Sequence, residues 1–282
     1  MAIRDYFRPV DTMTAEQVRE FLDRHDPADY NLVDVRQPGE YRQGHLPGAR
    51  LIPAAELANR LSELDPAKPT ITYCALGMRS RAAASALVTA GFQNVSSLAG
   101  GIKAWQSGTA TGPPEAGMSF FSAAAGADEM IALAWLLEEG SRKFYFAISQ
   151  MPAASEAAAI FSSLVKAEEH HQGTLKALYR EITGREPGPD FPGGLSVAQG
   201  TDDRMEGNVS VSEALAWARG KEIRDLLELS MALEIDSYDR YIKMSRTAPG
   251  ENAKKVFARL VAEEKEHLAR MADLLDRSVA KG

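Results

Sequence analysis

Cys74 is the only cysteine in 282 residues, and it lies in the stretch YCALGMRS, Tyr73 to Ser80. There an apolar run, ITY, gives way to a glycine loop and then to SRAAASALVTAGF, which reads as a helix. The thiolate, not the thiol, is the nucleophile, and a helix N-terminus with adjacent positive charge stabilises it. Arg79 and Arg81 flank the expected helix start near Ser80, and successive amides in such a loop make an anion cradle. A single cysteine forms no internal disulfide and no paired Cys-x-x-Cys knuckle, so the thiol is free, catalytic or inert. A lone cysteine taken alone is more often a small buried apolar residue. Its place at a strand end, before a loop carrying glycine and arginine, favours the nucleophile.

A second set of residues has the spacing of metal ligands. Glu168 and His171 are three residues apart, as are Glu264 and His267. On a helix that spacing puts a carboxylate and an imidazole on one face, about one turn apart. One such pair in a charged helix is usually chance, but these two occupy matching positions of an internal repeat. FSSLVKAEEHH (Phe161 to His171) aligns without gaps on FARLVAEEKEH (Phe257 to His267), and LEEGSRKFY (Leu137 to Tyr145) aligns on LEIDSYDRY (Leu233 to Tyr241). The second alignment pairs Glu138 with Glu234, each followed seven residues later by a tyrosine, Tyr145 or Tyr241. One Glu from each of two helices plus Glu-x-x-His from each of two others is the inward ligand set of a ferritin-like di-iron or di-manganese carboxylate bundle. Glu138, Glu168, His171, Glu234, Glu264 and His267 would then hold about two metal ions, iron first, with manganese or zinc as alternatives. The two tyrosines either donate to ligand carboxylates or pack as core aromatics. Glu139, Glu169, Glu263 and His170 fall off the ligand face and read as exposed or supporting.

The elements that must position these residues follow two patterns. From Tyr6 to Trp105 short apolar runs (NLVDV, TITYC, NVSSLAG) alternate with amphipathic stretches, the pattern of an α/β domain with a mainly parallel sheet flanked by helices. Thr14 with Gln17 looks like a capping box opening TAEQVREFLDRH. Gln106 to Asp128 is rich in Gly, Pro, Ser, Thr and Ala with almost no charge, which reads as a linker. Beyond it, long helices are expected at about Ala127 to Gln150, Ser155 to Thr183, Glu222 to Arg246 and Glu251 to Ala280, with a short helical piece in VSEALAWARG. Two helix pairs joined by a long crossover make an all-α four-helix bundle with internal two-fold pseudosymmetry. The expected domains are therefore 1–109, a linker over 110–126, and 127–282.

Hydrophobic residues at 45% and charged residues at 25% let each half bury a core. A net charge of −7 argues against nucleic acid as a partner. No stretch is apolar enough for a leader or a membrane span, so a soluble cytoplasmic protein is expected.

Three ordered motifs within about residues 5 to 108 resemble the rhodanese family: LVDVRQPGEYRQGHLPGARLIP (Leu32 to Pro53), CALGMRS and LAGGIKAW (Leu98 to Trp105). The resemblance implies transfer of a sulfane sulfur through a Cys74 persulfide. Backbone amides of Ala75, Leu76, Gly77, Met78, Arg79 and Ser80 would stabilise the bound anion, with Arg79 adding charge. Asp34, Arg36, Glu40 and His45 match the upstream motif, where the family uses them mostly for structure, and His25 reads as solvated. Four residues separate Cys74 from Arg79, whereas the phosphatases that share the rhodanese fold use five, so the resemblance points to sulfur rather than phosphate. Ala75, Leu76 and Met78 make the loop apolar for its family, so both thiosulfate and a persulfide or polysulfide stand as donors.

Residues 127 to 280 are similar to the rubrerythrin and erythrin branch of the ferritin-like superfamily, whose members typically reduce peroxide or react with oxygen at a di-iron centre. Two departures stand out. The four-cysteine rubredoxin module that rubrerythrins often carry is ruled out here, so electrons must come from an external donor. Met231 and Ser237 stand where a further carboxylate of the third helix would be sought.

The expected function is a sulfurtransferase coupled to a di-iron bundle that reacts with oxygen or peroxide, with a small sulfur donor and a thiophilic acceptor as partners. Two readings stand beside it: an iron-binding or storage bundle with a sulfur-carrier module, and a bundle that serves only as a dimerisation scaffold. Helix pairing is compatible with a homodimer and with a monomer.

Overall fold

The computed structural model describes residues 10–113, 126–151, 158–193, 203–248 and 250–279. The chain divides into two compact units, Met1–Glu115 and Ala116–Gly282.

In the first unit β1 (Asp11–Met13), β2 (Asn31–Asp34), β3 (Arg50–Leu51), β4 (Thr70–Tyr73) and β5 (Val95–Leu98) form a parallel sheet in the order β1-β5-β4-β2-β3. β4 is the central strand and is buried along its whole length, which is why TITY carries no charge. Alternating side chains divide between two apolar cores. One holds Val33, Val35, Ile52, Leu87, Phe92 and Cys74; the other holds Leu32, Tyr41, Leu46, Ile71, Tyr73 and Leu98. The register sets Asp34 beside Tyr73 and Thr72 beside Ser97, so the carboxyl ends of β2, β4 and β5 converge.

Helices α1 (Ala15–Arg24), α2 (Pro38–Gln43) and α3 (Met78–Thr89) complete this unit. Thr14 and Gln17 cap α1 reciprocally, as the sequence predicts. α3 begins at Met78, two residues ahead of the expected start at Ser80, because Gly77 takes the cap position at φ 96°. The amphipathic stretch after β3 forms two 3-10 turns, Leu57–Asn59 and Leu61–Glu63, separated by Arg60 at φ −122°. Past β5, Ala110 and His45 exchange backbone hydrogen bonds of 2.8 and 2.9 Å, and the Gly112 amide donates to the Arg42 carbonyl. The chain is thus pinned to the sheet domain beyond the expected boundary at 109, and most of the expected linker, residues 114–125, lies outside the described residues.

The second unit is helix-rich. It contains α4 (Ala127–Ser149), α5 (Ala158–Thr183), the antiparallel ribbon β6 (Arg204–Met205) and β7 (Val209–Ser210), α6 (Val211–Ala218), α7 (Ile223–Thr247) and α8 (Glu251–Val279). The expected helix start at Ser155 and the expected end at Ala280 lie outside the described residues; the other ends fall within one or two residues of expectation, the ordinary uncertainty of a helix terminus. α4 packs on α5, α7 on α8 and α5 on α8.

The apolar residues of these helices sort into two cores. Ile131, Leu133, Leu175, Leu178, Ile242, Phe257 and Leu260 belong to one; Phe144, Ile148, Phe161, Leu164, Leu226, Leu233 and Met271 belong to the other. On each helix the stretch between the two cores carries buried polar groups: Glu138 and Ser141, Glu168 and His171, Glu234 and Ser237, Glu264 and His267. A polar layer is therefore sealed between two apolar ones.

Candidate functional site

Cys74 follows the central strand, at the carboxyl edge where open parallel sheets form their ligand crevices. The loop behind it is held from two sides. The Ile102 amide donates to the Cys74 carbonyl at 2.8 Å and the Lys103 amide to the Ala75 carbonyl at 3.2 Å. Gly101 permits this approach: its φ is 62°, and a Cβ there would overlap both carbonyls. From the other side, the Gly77 amide donates to Cys74 Sγ at 3.1 Å.

The Ser80 hydroxyl and the amides of Ser80 and Leu76 also act on the sulfur. Ser80 is fully buried and its hydroxyl lies 2.9 Å from that of Ser97 on β5, which fixes its rotamer. Burial pushes the Cys74 thiol up, but these hydrogen bonds outweigh it and hold the thiol below its ordinary value.

Arg79 forms two parallel hydrogen bonds with Glu40, at 2.7 and 2.9 Å, which raise the guanidinium above its ordinary value, with the nearby Cys74 adding to the effect. The loop residues named from the sequence are thus brought together: Cys74 inside, Ala75 and Gly77 half-exposed, Leu76 and Met78 exposed, and Arg79 on the rim. A crevice of about 380 Å³ runs beside the loop, lined by Thr12, Leu76, Gly77, Met78, Arg81 and Ser97 among others.

The upstream motif has a structural part here. Arg36 chelates Asp34 and donates to the Gly44 carbonyl, and His45 stacks on Tyr41. Neither Ser97 nor the holding role of Glu40 is legible in the sequence, because both depend on strand and helix pairings that local spacing does not reveal.

In the helix-rich unit all six expected ligands face one another and are at most 5% exposed. His171 Nδ1 lies 3.1 Å from Glu138, 3.5 Å from Glu264 and 3.6 Å from Glu168. His267 Nδ1 lies 3.5 Å from Glu234 and 3.8 Å from Glu264. Two groups thus have candidate ligand atoms within 4.8 Å of one another, Glu138–His171–Glu264 and Glu234–Glu264–His267, with Glu264 common to both. Tyr145 donates to Glu234 and Tyr241 to Glu138, so both tyrosines reach the carboxylates.

Both Glu168 oxygens, one oxygen each of Glu234 and Glu264, and His267 Nδ1 are buried without a hydrogen-bond partner. Burial and the neighbouring carboxylates push Glu168 and Glu264 well above the usual carboxylate range, while burial is outweighed at Glu138 and Glu234 by their histidines, which hold both below it. Crowded carboxylates with vacant lone pairs, beside two imidazoles and between apolar walls, fit a hard or borderline divalent cation.

The flanking residues support this layer. Glu139 pairs with Arg142 and Gln172, Glu263 sits 3.8 Å from the outer nitrogen of His171, and His170 is exposed. One group absent from the sequence reading joins them. Glu206, from the segment between α5 and α6, is fully buried and has an oxygen within 4.8 Å of Glu138 and Glu168 oxygens.

A parallel sheet with a lone thiol at the end of its central strand, wrapped by amides, defines an α/β domain built around a stabilised thiol. Residues 14–108 match the rhodanese-like domain. The thiosulfate sulfurtransferase GlpE of Pseudoalteromonas translucida is 39% identical over 90 residues, 32% of this chain and 83% of that protein. A sulfurtransferase of Allochromatium vinosum is 39% identical over 80 residues, 28% of this chain and 75% of that protein. A rhodanese-related protein from Thermoplasma volcanium is 30% identical in its crystal structure, covering 34% of this chain and 89% of that one with a TM-score of 0.31. The chain belongs to the rhodanese family through this domain. Among the described residues no helix is long and apolar enough to cross a membrane.

Proposed function

We propose that this protein is a rhodanese-type sulfurtransferase carrying sulfane sulfur on Cys74, joined to a ferritin-like four-helix bundle that holds a di-iron centre. The carrying observation is the sulfur itself, buried at the strand end, accepting from the Gly77 amide and held below its ordinary pKa.

In the first half-reaction the Cys74 thiolate attacks the outer sulfur of thiosulfate or of a persulfide. A Cys74 sulfur–sulfur bond forms, the donor's sulfur–sulfur bond breaks, and sulfite or a thiolate leaves with the electron pair. The outer persulfide sulfur is anionic, and the amides of the loop are the donors available to it. In the second half-reaction a thiophilic acceptor such as cyanide attacks that outer sulfur, forming thiocyanate and returning the Cys74 thiolate. Transfer to cyanide by the wild type, with none by Cys74→Ser, supports the assignment; retained transfer in the variant refutes it.

For the second unit, Glu138, Glu168, His171, Glu234, Glu264 and His267 would hold about two ions per chain, iron first, with manganese or zinc as alternatives. Iron or manganese, when bound, would supply redox chemistry toward oxygen or peroxide, which zinc would not. The chain's own part is to orient the carboxylates through Tyr145 and Tyr241 and to exclude water with its two apolar layers. Reducing equivalents come from an external donor, and consumption of oxidant protects a persulfide that those oxidants destroy. Persulfide lifetime under peroxide, compared between wild type and the Glu168→Ala, Glu264→Ala double variant, tests the link; equal lifetimes sink it. Many irons per chain in a large assembly would instead favour storage.

A further inference from the structure

We propose that Glu206 is a seventh ligand of the metal centre, delivered not by a helix but by the crossover between α5 and α6. The inference rests on the di-metal reading above and adds to it a residue from outside the repeat.

The segment is built to deliver this one side chain. Arg204–Met205 and Val209–Ser210 pair as a tight ribbon, and Gly207 at φ 71° reverses the chain directly after Glu206. Asp203 clamps the ribbon's far end, accepting from Ser210 Oγ at 2.6 Å, Ser212 Oγ at 2.7 Å and the Ser212 amide at 2.9 Å. The ribbon lies against α4 at Gly140, where a Cβ would overlap the Arg204 carbonyl. Gly140 thus lets the crossover backbone approach the helix closely enough for Glu206 to enter the sealed polar layer.

Inside, Glu206 is fully buried and is aimed by two serines. Ser141 Oγ donates to Oε2 at 3.2 Å, and Ser237 donates to Oε1. These serines correspond in the internal repeat, each three residues after a ligand glutamate, Glu138 or Glu234. Two hydroxyls of the pseudosymmetric helices thus converge on one carboxylate that has no counterpart in the repeat.

A structural carboxylate in such a place needs a cation. Among the described residues Glu206 makes no salt bridge; the charge of buried Arg240 acts on it from a distance, with Nε and Nη1 left without a hydrogen-bond partner. What Glu206 does face is Glu138 and Glu168, with oxygens of all three within 4.8 Å. Both oxygens of Glu168 are buried and unpartnered. Three carboxylates converging on vacant lone pairs are relieved by a divalent cation coordinated between them. Glu206 therefore completes the Glu138–Glu168 side of the centre and leaves Glu234 and His267 to the other ion.

The test is anaerobic titration of full-length, metal-stripped protein with cobalt(II), read by its visible d–d absorption and by competition with a chelator. In Glu206→Gln, which keeps the shape and one serine bond while the other serine must turn to accept from the new amide, one ion is expected to bind about 10-fold or more weakly with a changed spectrum, while the other is unaffected. Glu206→Asp keeps the charge but draws the oxygens back by one methylene, and it is expected to weaken the same ion by a smaller factor. It serves as the second arm if the glutamine variant misfolds, as judged by circular dichroism. Wild-type stoichiometry, affinity and spectrum in the folded variants overturn the proposal alone. Failure of the wild type to bind cobalt or ferrous iron overturns the di-metal reading and this proposal with it.

Discussion

The Tyr145 phenol on α4 donates to Glu234 on α7, 89 residues further along the chain. The reciprocal bond, from Tyr241 on α7 to Glu138 on α4, makes the two repeats exchange partners. Each tyrosine thus orients the carboxylate of the other repeat, and the polar layer cannot be assembled from one helix pair alone. Tyr145→Phe and Tyr241→Phe remove only the donor, leaving a buried carboxylate oxygen short of a partner at a cost of about 1–3 kcal/mol. Each variant is expected to lose about 10- to 100-fold in metal affinity by chelator competition. Wild-type affinity in both would reduce the tyrosines to core aromatics.

The thiol's reactivity depends on donors that favour its charged form. Burial opposes the thiolate, and the Ser80 hydroxyl with the Ser80, Leu76 and Gly77 amides reverses that, so the folded protein loses this proton at lower pH than a free cysteine does. Ser80→Ala removes one donor and leaves the amides. Its pH profile for sulfur loading is expected to keep the wild-type plateau at high pH while the inflection moves upward. An unmoved inflection would show that the amides alone set the thiolate.

The α/β pattern, the helix pairs and all six candidate ligands were legible because each depends on spacing within an element: two residues in a strand, three or four on a helix. Even the repeat is local, since Glu168 and His171 can be matched to Glu264 and His267 without knowing which helices touch. What escaped depends on contacts between elements. Ser97 reaches Ser80 through the register of β4 and β5, Glu40 reaches Arg79 across 39 residues, and Glu206 enters through a crossover whose Met-Glu-Gly sequence has no periodicity. Sequence alone puts the start of α3 two residues late, because Gly77 reads as loop, whereas its left-handed backbone makes it the helix cap.

The paired glycine motif after β5 predicts a further result. Gly101→Ala puts a Cβ into the Cys74 and Ala75 carbonyls at a backbone φ of 62°, strain of about 1–3 kcal/mol concentrated on the sulfur loop. Gly91 has a φ of 99°, but a Cβ added there would meet nothing within 4 Å, so Gly91→Ala carries the backbone strain without the collision. Sulfur transfer is expected to fall in Gly101→Ala and to stay near wild type in Gly91→Ala, with both folded by circular dichroism. Equal activities would mean that the loop tolerates displacement of its carbonyls.

The last prediction concerns the metal-free state. Burial and neighbouring carboxylates raise Glu168 and Glu264 well above the usual carboxylate range, and Glu206 to about 8. A folded-state pKa above the unfolded one means that the native protein binds more protons than the unfolded chain, so stability falls with rising pH through that interval. Glu138 and Glu234, held below their ordinary values, act in the opposite sense, but at pH values under the unfolded carboxylate pKa of about 4.3. His171, where burial is outweighed by Glu138 and Glu264, is raised well above its ordinary value and acts in the same sense as the raised carboxyls. Between about pH 4.3 and pH 8 these four raised groups therefore set the sign, and the melting temperature of chelator-treated protein is expected to decline across that window. A divalent cation replaces those protons, so saturating zinc or ferrous iron is expected to raise the melting temperature most at the alkaline end. A flat profile without metal would mean that the carboxylate layer admits water when empty.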